Sequence, residues 1–184
     1  MRPELVARAQ SGDREAFDAL AAALYDPLYA VGRRILRDGH AAEDAVQEAL
    51  IRAWRDLRSL REPERFEAWM HRLLVRACYD QARRRRPLEI RISPIDAGRS
   101  DPSDDIAVVA NRDELERAFL KLSVEQRAVL VLTHYAGMPA ADVGHALGIP
   151  VGTVHSRLHY AIRTMRTALA NASPDDLAAR EFGR

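Results

Sequence analysis

The stretch MPAADVGHALGIPVGTVHSRLHYAIRTMR, Met138 to Arg166, decides the fold. It reads as two short helices around a tight turn. Val143, Ala146 and Leu147 give the first helix an apolar stripe at spacings of three and four. Gly148 can take positive φ and stops that helix. Ile149 is an apolar plug, and Pro150 pre-sets the backbone for a new helix. The second helix buries Val154, Leu158, Ala161, Ile162 and Met165. Its other face shows Thr153, His155, Ser156, Arg157, His159, Tyr160 and Arg163. This is the layout of a helix-turn-helix whose second helix enters a DNA major groove. No Asp or Glu occurs between Asp142 and Asp175, while Arg157, Arg163 and Arg166 lie in that interval. Such a helix suits a phosphate-lined groove. The plain alternative is a helical hairpin with a solvated basic face.

Outward from this stretch, composition sets the bounds. The 184 residues are 47% hydrophobic and 30% charged, as in a globular domain or two small ones. A net charge of +1 argues against indiscriminate polyanion binding, so any nucleic acid is held by local patches. Lys121 is the only lysine, so the positive charge is almost all arginine. Cys78 stands alone, which excludes an intrachain disulfide. No stretch approaches the ~20 apolar residues of a membrane span, and the N-terminus lacks the apolar core of a signal peptide. The expectation is an all-α cytoplasmic protein that does not insert in a membrane.

Residues 4–37 read as helix with a break near Ser11–Asp13, where Asp13 can cap the amides that follow. Asp26 and Pro27 suggest a kink, and Gly39 a C-terminal stop. Ala41–Leu57 is the cleanest amphipathic helix, with Val46, Leu50, Ala53, Trp54 and Leu57 as its buried stripe. Glu43, Asp44, Gln47 and Glu48 form an acidic face, which is either a solvated surface or a docking face for a basic partner. A loop broken by Pro63 spans 58–66. The helix 66–86 follows, with Phe66, Trp69, Leu73, Leu74, Ala77 and Cys78 inward and Arg72, Arg76, Asp80 and Arg83 elsewhere. The run Arg83–Arg86 closes it, giving a second basic surface. Residues 87–111 meet no helical period and read as a flexible, mildly acidic linker. Helix resumes over 112–136, with a capping box at Ser123 and Gln126 and a core of Val129, Leu130 and Leu132. Residues 171–184 are a polar tail.

Two separate stretches resemble one family. GDREAFDAL, AAEDAVQEALIRAW and FEAWMHRLLVRACYDQARRRR resemble region 2 of bacterial sigma factors. LSVEQRAVLVLTHYAGMPAADVGHALGIPVGTVHSRLHYAIRTMR resembles their region 4. The order, with no third globular region between, is similar to the extracytoplasmic-function group. The resemblance implies two small helical domains, region 2 over 1–86 and region 4 over 112–170. It implies a promoter-specificity subunit that binds core RNA polymerase through the beta-prime clamp helices and the beta flap. By matching position, Asp44, Gln47 and Glu48 become docking residues. Arg72, Arg76, Asp80, Arg83 and Arg84 fall where the family melts and holds the minus-ten element. Thr153, His155, Ser156, Arg157, Tyr160 and Arg163 fall on its minus-thirty-five recognition helix. Control by an anti-sigma partner is a further implication.

This chain departs from the family pattern in places. Arg76 stands where many members have Asn, His155 where Lys is common, and Tyr160 where Arg is common. Gly144 replaces a usual Ala, at up to ~1 kcal/mol of helix propensity, and Pro139 replaces a usual Ser cap. Other chemistry finds little support. His155 and His159 have a metal-like spacing, but no Cys or carboxylate lies near in sequence. His71 and Cys78 belong more simply to an amphipathic helix. Neither a phosphate-binding glycine loop nor a triad signature is present. The expectation is a non-enzyme without cofactor or metal. A stand-alone helix-turn-helix regulator and an all-helical protein-binding adaptor are the alternatives.

Overall fold

The computed structural model describes residues 3–89 and 114–171, with side chains described as far as Arg85 in the first segment. The linker expected at 87–111 and the tail at 171–184 therefore lie almost wholly outside the described residues. Among these, every regular element is helical. In order they are α1 (Pro3–Gln10), α2 (Arg14–Leu36), α3 (Gly39–Asp56), α4 (Phe66–Glu89), α5 (114–120), α6 (Val124–Leu130), α7 (Ala140–Leu147) and α8 (Val151–Ala170). Single 3-10 turns precede α4, and a π-helical turn, Val131–Tyr135, prolongs α6.

Local chemistry sets most of these boundaries. The Ala16 amide donates to Asp13 Oδ1 at 3.0 Å, which starts α2. That helix continues past Pro27 without a break. Its end corrects the sequence reading. Arg37, not Gly39, takes the left-handed conformation, at φ 61°, and its N–H donates to the Arg33 carbonyl at 2.8 Å. Gly39 instead opens α3, because Asp38 caps that helix by accepting from the Ala41 amide at 2.7 Å. The helix expected over 112–136 is likewise interrupted. Ser123 accepts from the Gln126 amide at 3.2 Å, while Gln126 Oε1 accepts from the Ser123 amide at 2.9 Å. This capping box starts a new helix at Val124.

The buried face of α3 is made of alanine. Ala41, Ala42, Ala45, Ala49 and Ala53 are fully buried together with Val46. Small side chains let α3 lie close against α2 and α4, with which it packs. Leu50 is only partly buried, and Trp54 is 45% exposed with its ring against Phe17 at 4.9 Å. The sequence reading placed both inside. In α4 the inward set is Phe66, Met70, Leu73, Leu74, Val75, Ala77 and Cys78, with Trp69 partly buried beside Phe66.

The helix-turn-helix forms as its sequence requires. Gly148 sits at φ 66° and its amide turns back to the Gly144 and His145 carbonyls. Gly144 is not a defect in α7. A Cβ there would lie 2.9 Å from the Ile149 carbonyl oxygen, so the helix can approach the turn only without a side chain.

The two halves are not joined by the linker alone. α2 packs against α6 and its π turn, and α4 against α7. Arg127 Nε donates to the Ile35 carbonyl at 2.7 Å, Arg37 pairs with Glu116 at 2.8 Å, and the Arg34 guanidinium lies 3.7 Å from the centre of the Tyr135 ring. Buried residues form one cluster from Val6 in α1 to Val154 in α8. Among the described residues no helix is long and apolar enough to cross a membrane.

Candidate nucleic-acid interface

The face of α3 opposite its alanines carries Asp44, Gln47 and Glu48. Asp44 and Gln47 are exposed, and the Glu48 side chain is 44% exposed. Helical spacing adds Ile51, 62% exposed, and Trp54 to the same face. These two apolar residues were not among the sequence candidates. Ile51, four after Gln47 and three after Glu48, and Trp54, three after Ile51, would have been flagged by spacing had the buried stripe been assigned to alanine. The face is thus acidic at one end and apolar at the other, which suits docking on protein better than solvation.

Arg72, Arg76 and Arg83 share one face of α4, with Arg84 beside them. Arg76, Arg83 and Arg84 are exposed and Arg72 partly so. The fifth candidate, Asp80, is engaged within the molecule. Its Oδ1 accepts from Arg83 at 2.5 Å and its Oδ2 from Arg52 on α3 at 3.1 Å. Burial opposes its ionisation, but the two guanidinium groups prevail and hold its carboxyl below the ordinary carboxylate range. Arg85 pairs with Asp38 in the same way, tying the end of α4 to the start of α3. Burial of Asp38 is likewise outweighed, here by the Ala41 amide and Arg85, and its pKa is lowered.

On α8, His155, Ser156, Tyr160 and Arg163 are exposed, Tyr160 by 57%. Thr153 and Arg157 are partly covered. Arg157 lies near enough to α4 for its positive charge to act on Tyr79. Burial first, and Glu125 second, raise that phenol to about 12 despite Arg157. The α8 set and the α4 set are separate surfaces on the two halves, and the one acid within the α4 set, Asp80, is paired with Arg83 and Arg52.

Cys78 is buried and its thiol is pushed up to about 12, so no nucleophile forms with His71, whose Nδ1 lies 2.9 Å from the Glu67 carbonyl. His159 packs edge-on to Tyr160 at 5.8 Å. Among the described residues no group of three His, Cys, Asp or Glu is placed to hold a metal.

Residues 20–87 match the family described as Sigma-70 region 2, and residues 112–165 match Sigma-70, region 4. The chain is 35% identical over 161 residues to the ECF RNA polymerase sigma factor SigM of Mycobacterium tuberculosis, covering 84% of this chain and 77% of that one. Its structure is similar to that of CnrH solved with the cytosolic domain of CnrY, with a TM-score of 0.66, 26% identity, and coverage of 93% and 98%. It also shares the fold of the sigma factor RpoE from Bartonella quintana, solved with the anti-sigma factor NepR. There the TM-score is 0.68 at 23% identity, covering 84% of this chain and 96% of that one.

Proposed function

The chain belongs to the extracytoplasmic-function group of the sigma-70 family, and from that premise we propose how its surfaces divide the work. As a sigma factor it binds core RNA polymerase and directs initiation at promoters. The face of α3 bearing Asp44, Gln47 and Glu48, extended by Ile51 and Trp54, docks on the beta-prime clamp helices. Carboxylates steer the encounter and the apolar end supplies the buried contact. Arg72, Arg76, Arg83 and Arg84 on α4 hold the backbone of the minus-ten strand as it is melted. Thr153, His155, Ser156, Arg157, Tyr160 and Arg163 read the minus-thirty-five element, and the second half meets the beta flap. Residues 1–86 form the first domain and 112–170 the second, with 87–111 as linker. RNA synthesis belongs to the polymerase; this chain performs no chemistry of its own and acts in the cytoplasm beside it.

The observation that supports this division most is the sidedness of α3. Its alanines are fully buried while Asp44, Gln47 and Ile51 on the far side are exposed. A partner of the anti-sigma class fits the cleft between the halves. It measures about 750 Å³ and sets Arg33, Arg34 and Arg37 beside Leu115, Phe119 and Tyr135. Guanidinium groups over an apolar floor suit an acidic amphipathic segment.

Run-off transcription and gel shift with purified core test the function. Promoter-specific transcript only with core and this chain together is the expected result. Tight duplex binding without core would make it a stand-alone regulator, and no DNA binding in either case an adaptor.

A further inference from the structure

Arg52 has no place in either binding surface, yet it joins them. Its Nε donates to Glu48 Oε1 at 2.8 Å, and its Nη2 to Asp80 Oδ2 at 3.1 Å. Asp80 in turn holds Arg83 at 2.5 Å. The result is a continuous chain of charge-assisted hydrogen bonds, Glu48–Arg52–Asp80–Arg83. One end lies in the docking face of α3 and the other in the basic stripe of α4. The Arg52 side chain is only 22% exposed, and that of Asp80 30%, so the middle of the chain is shielded from solvent while its ends are open. A planar guanidinium can serve two carboxylates at once, which a lysine cannot do with the same geometry.

We propose that Arg52 and Asp80 are positioning residues: they fix Arg83 on the promoter-facing side of α4 and couple its placement to Glu48 on the polymerase-facing side of α3. Neither needs to touch DNA or polymerase. A basic group of the clamp that draws on Glu48 weakens its hold on Arg52 and leaves Arg52 to Asp80. The carboxylate then shares itself differently with Arg83. Asp80 thereby acquires a role that a carboxylate facing phosphates would not have. An acid at that position repels DNA unless it is neutralised, and here two arginines neutralise it. The inference rests on the reading of α4 as the minus-ten surface.

The test uses holoenzyme assembled at saturating core polymerase, so that core affinity does not enter. Opening of one promoter is followed by the fluorescence of a base analogue in the minus-ten element. The variants are Arg52→Met, which keeps the aliphatic stem, the isosteric Asp80→Asn, their double, and Arg52→Lys. Each single variant removes two of the three links and is expected to slow opening roughly threefold to tenfold. The double should be no slower than the slower single, and Arg52→Lys should recover part of the loss. Opening at the wild-type rate in both single variants overturns the inference, as does a double variant whose defect is the product of the singles. Arg76→Ala separates the premise from the inference. If Arg76→Ala opens normally, the assignment of α4 fails and this inference with it. If Arg76→Ala is slow while Arg52→Met and Asp80→Asn are not, the coupling alone is wrong. Asp80→Asn retains volume and keeps the test available should Arg52→Met not fold.

Discussion

Gly144 shows how one position can be misjudged by propensity. Read alone it weakens α7 by up to ~1 kcal/mol. In place it admits the Ile149 carbonyl, 2.9 Å from where a Cβ would stand. Gly144→Ala is therefore expected to destabilise the chain by about 1–3 kcal/mol through overpacking, despite the better helix former. Urea unfolding followed by circular dichroism measures it, and a stabilised variant would contradict the packing. Arg157 is the counterpart among functional residues. It lies on the outward side of α8 by spacing, yet it is partly covered and its charge is felt at Tyr79. Arg157→Ala should cost about 1–3 kcal/mol of binding at the upstream element if it reads a base edge. The upstream footprint of the holoenzyme is the measurement, with downstream protection retained.

Elements are governed by their ends. α3 begins at Asp38 and is tied to α4 through Arg85 there and through Asp80 and Arg52 further on. Both Asp38 and Asp80 are held below the ordinary carboxylate range. In the unfolded chain these carboxyls take up protons first as pH falls, near about 4. Their contribution is thus complete at neutral pH and is lost as the solution is acidified through that range towards their folded values. Stability measured against pH should fall below about pH 4, and Asp38→Asn with Asp80→Asn should flatten that acid limb while lowering stability at pH 7. A limb unchanged by the two substitutions would show that these pairs do not report on folding. The start of α6 makes a simpler case. Ser123→Ala removes the acceptor for the Gln126 amide and should cost about 1 kcal/mol, read as a lowered unfolding midpoint.

At the level of the whole molecule, the packing of one half on the other is the main finding beyond the linear pattern. Arg127 on Ile35, Arg37 on Glu116 and Arg34 over Tyr135 cluster where α2 ends and the second half begins. Removing two of them, in Arg37→Ala with Arg127→Ala, should raise amide hydrogen exchange in α6 and over 114–120. Amides of α3 and α4 should remain protected, because their own core does not involve these arginines. Uniform protection in the double variant would mean that the halves hold together without these two arginines. The acidic face gives a test of the opposite kind. Reversing Asp44 and Glu48 to Arg should weaken association with core while helicity is retained, measured by co-purification and circular dichroism.

What the sequence determined by itself was everything short-ranged. The caps at Asp13 and Ser123, the stop at Gly148 and the periodicity of α8 depend on residues within a turn or two of each other, so spacing alone reveals them. The family resemblance rested on those same local strings. Tertiary structure decided what distance in sequence conceals. That alanine forms the inner side of α3, that Trp54 and Ile51 lie outside, and that Asp80 answers to Arg52 all follow from which helix lies against which. Burial and pairing between residues dozens of positions apart are properties of the packed arrangement, and no local period encodes them.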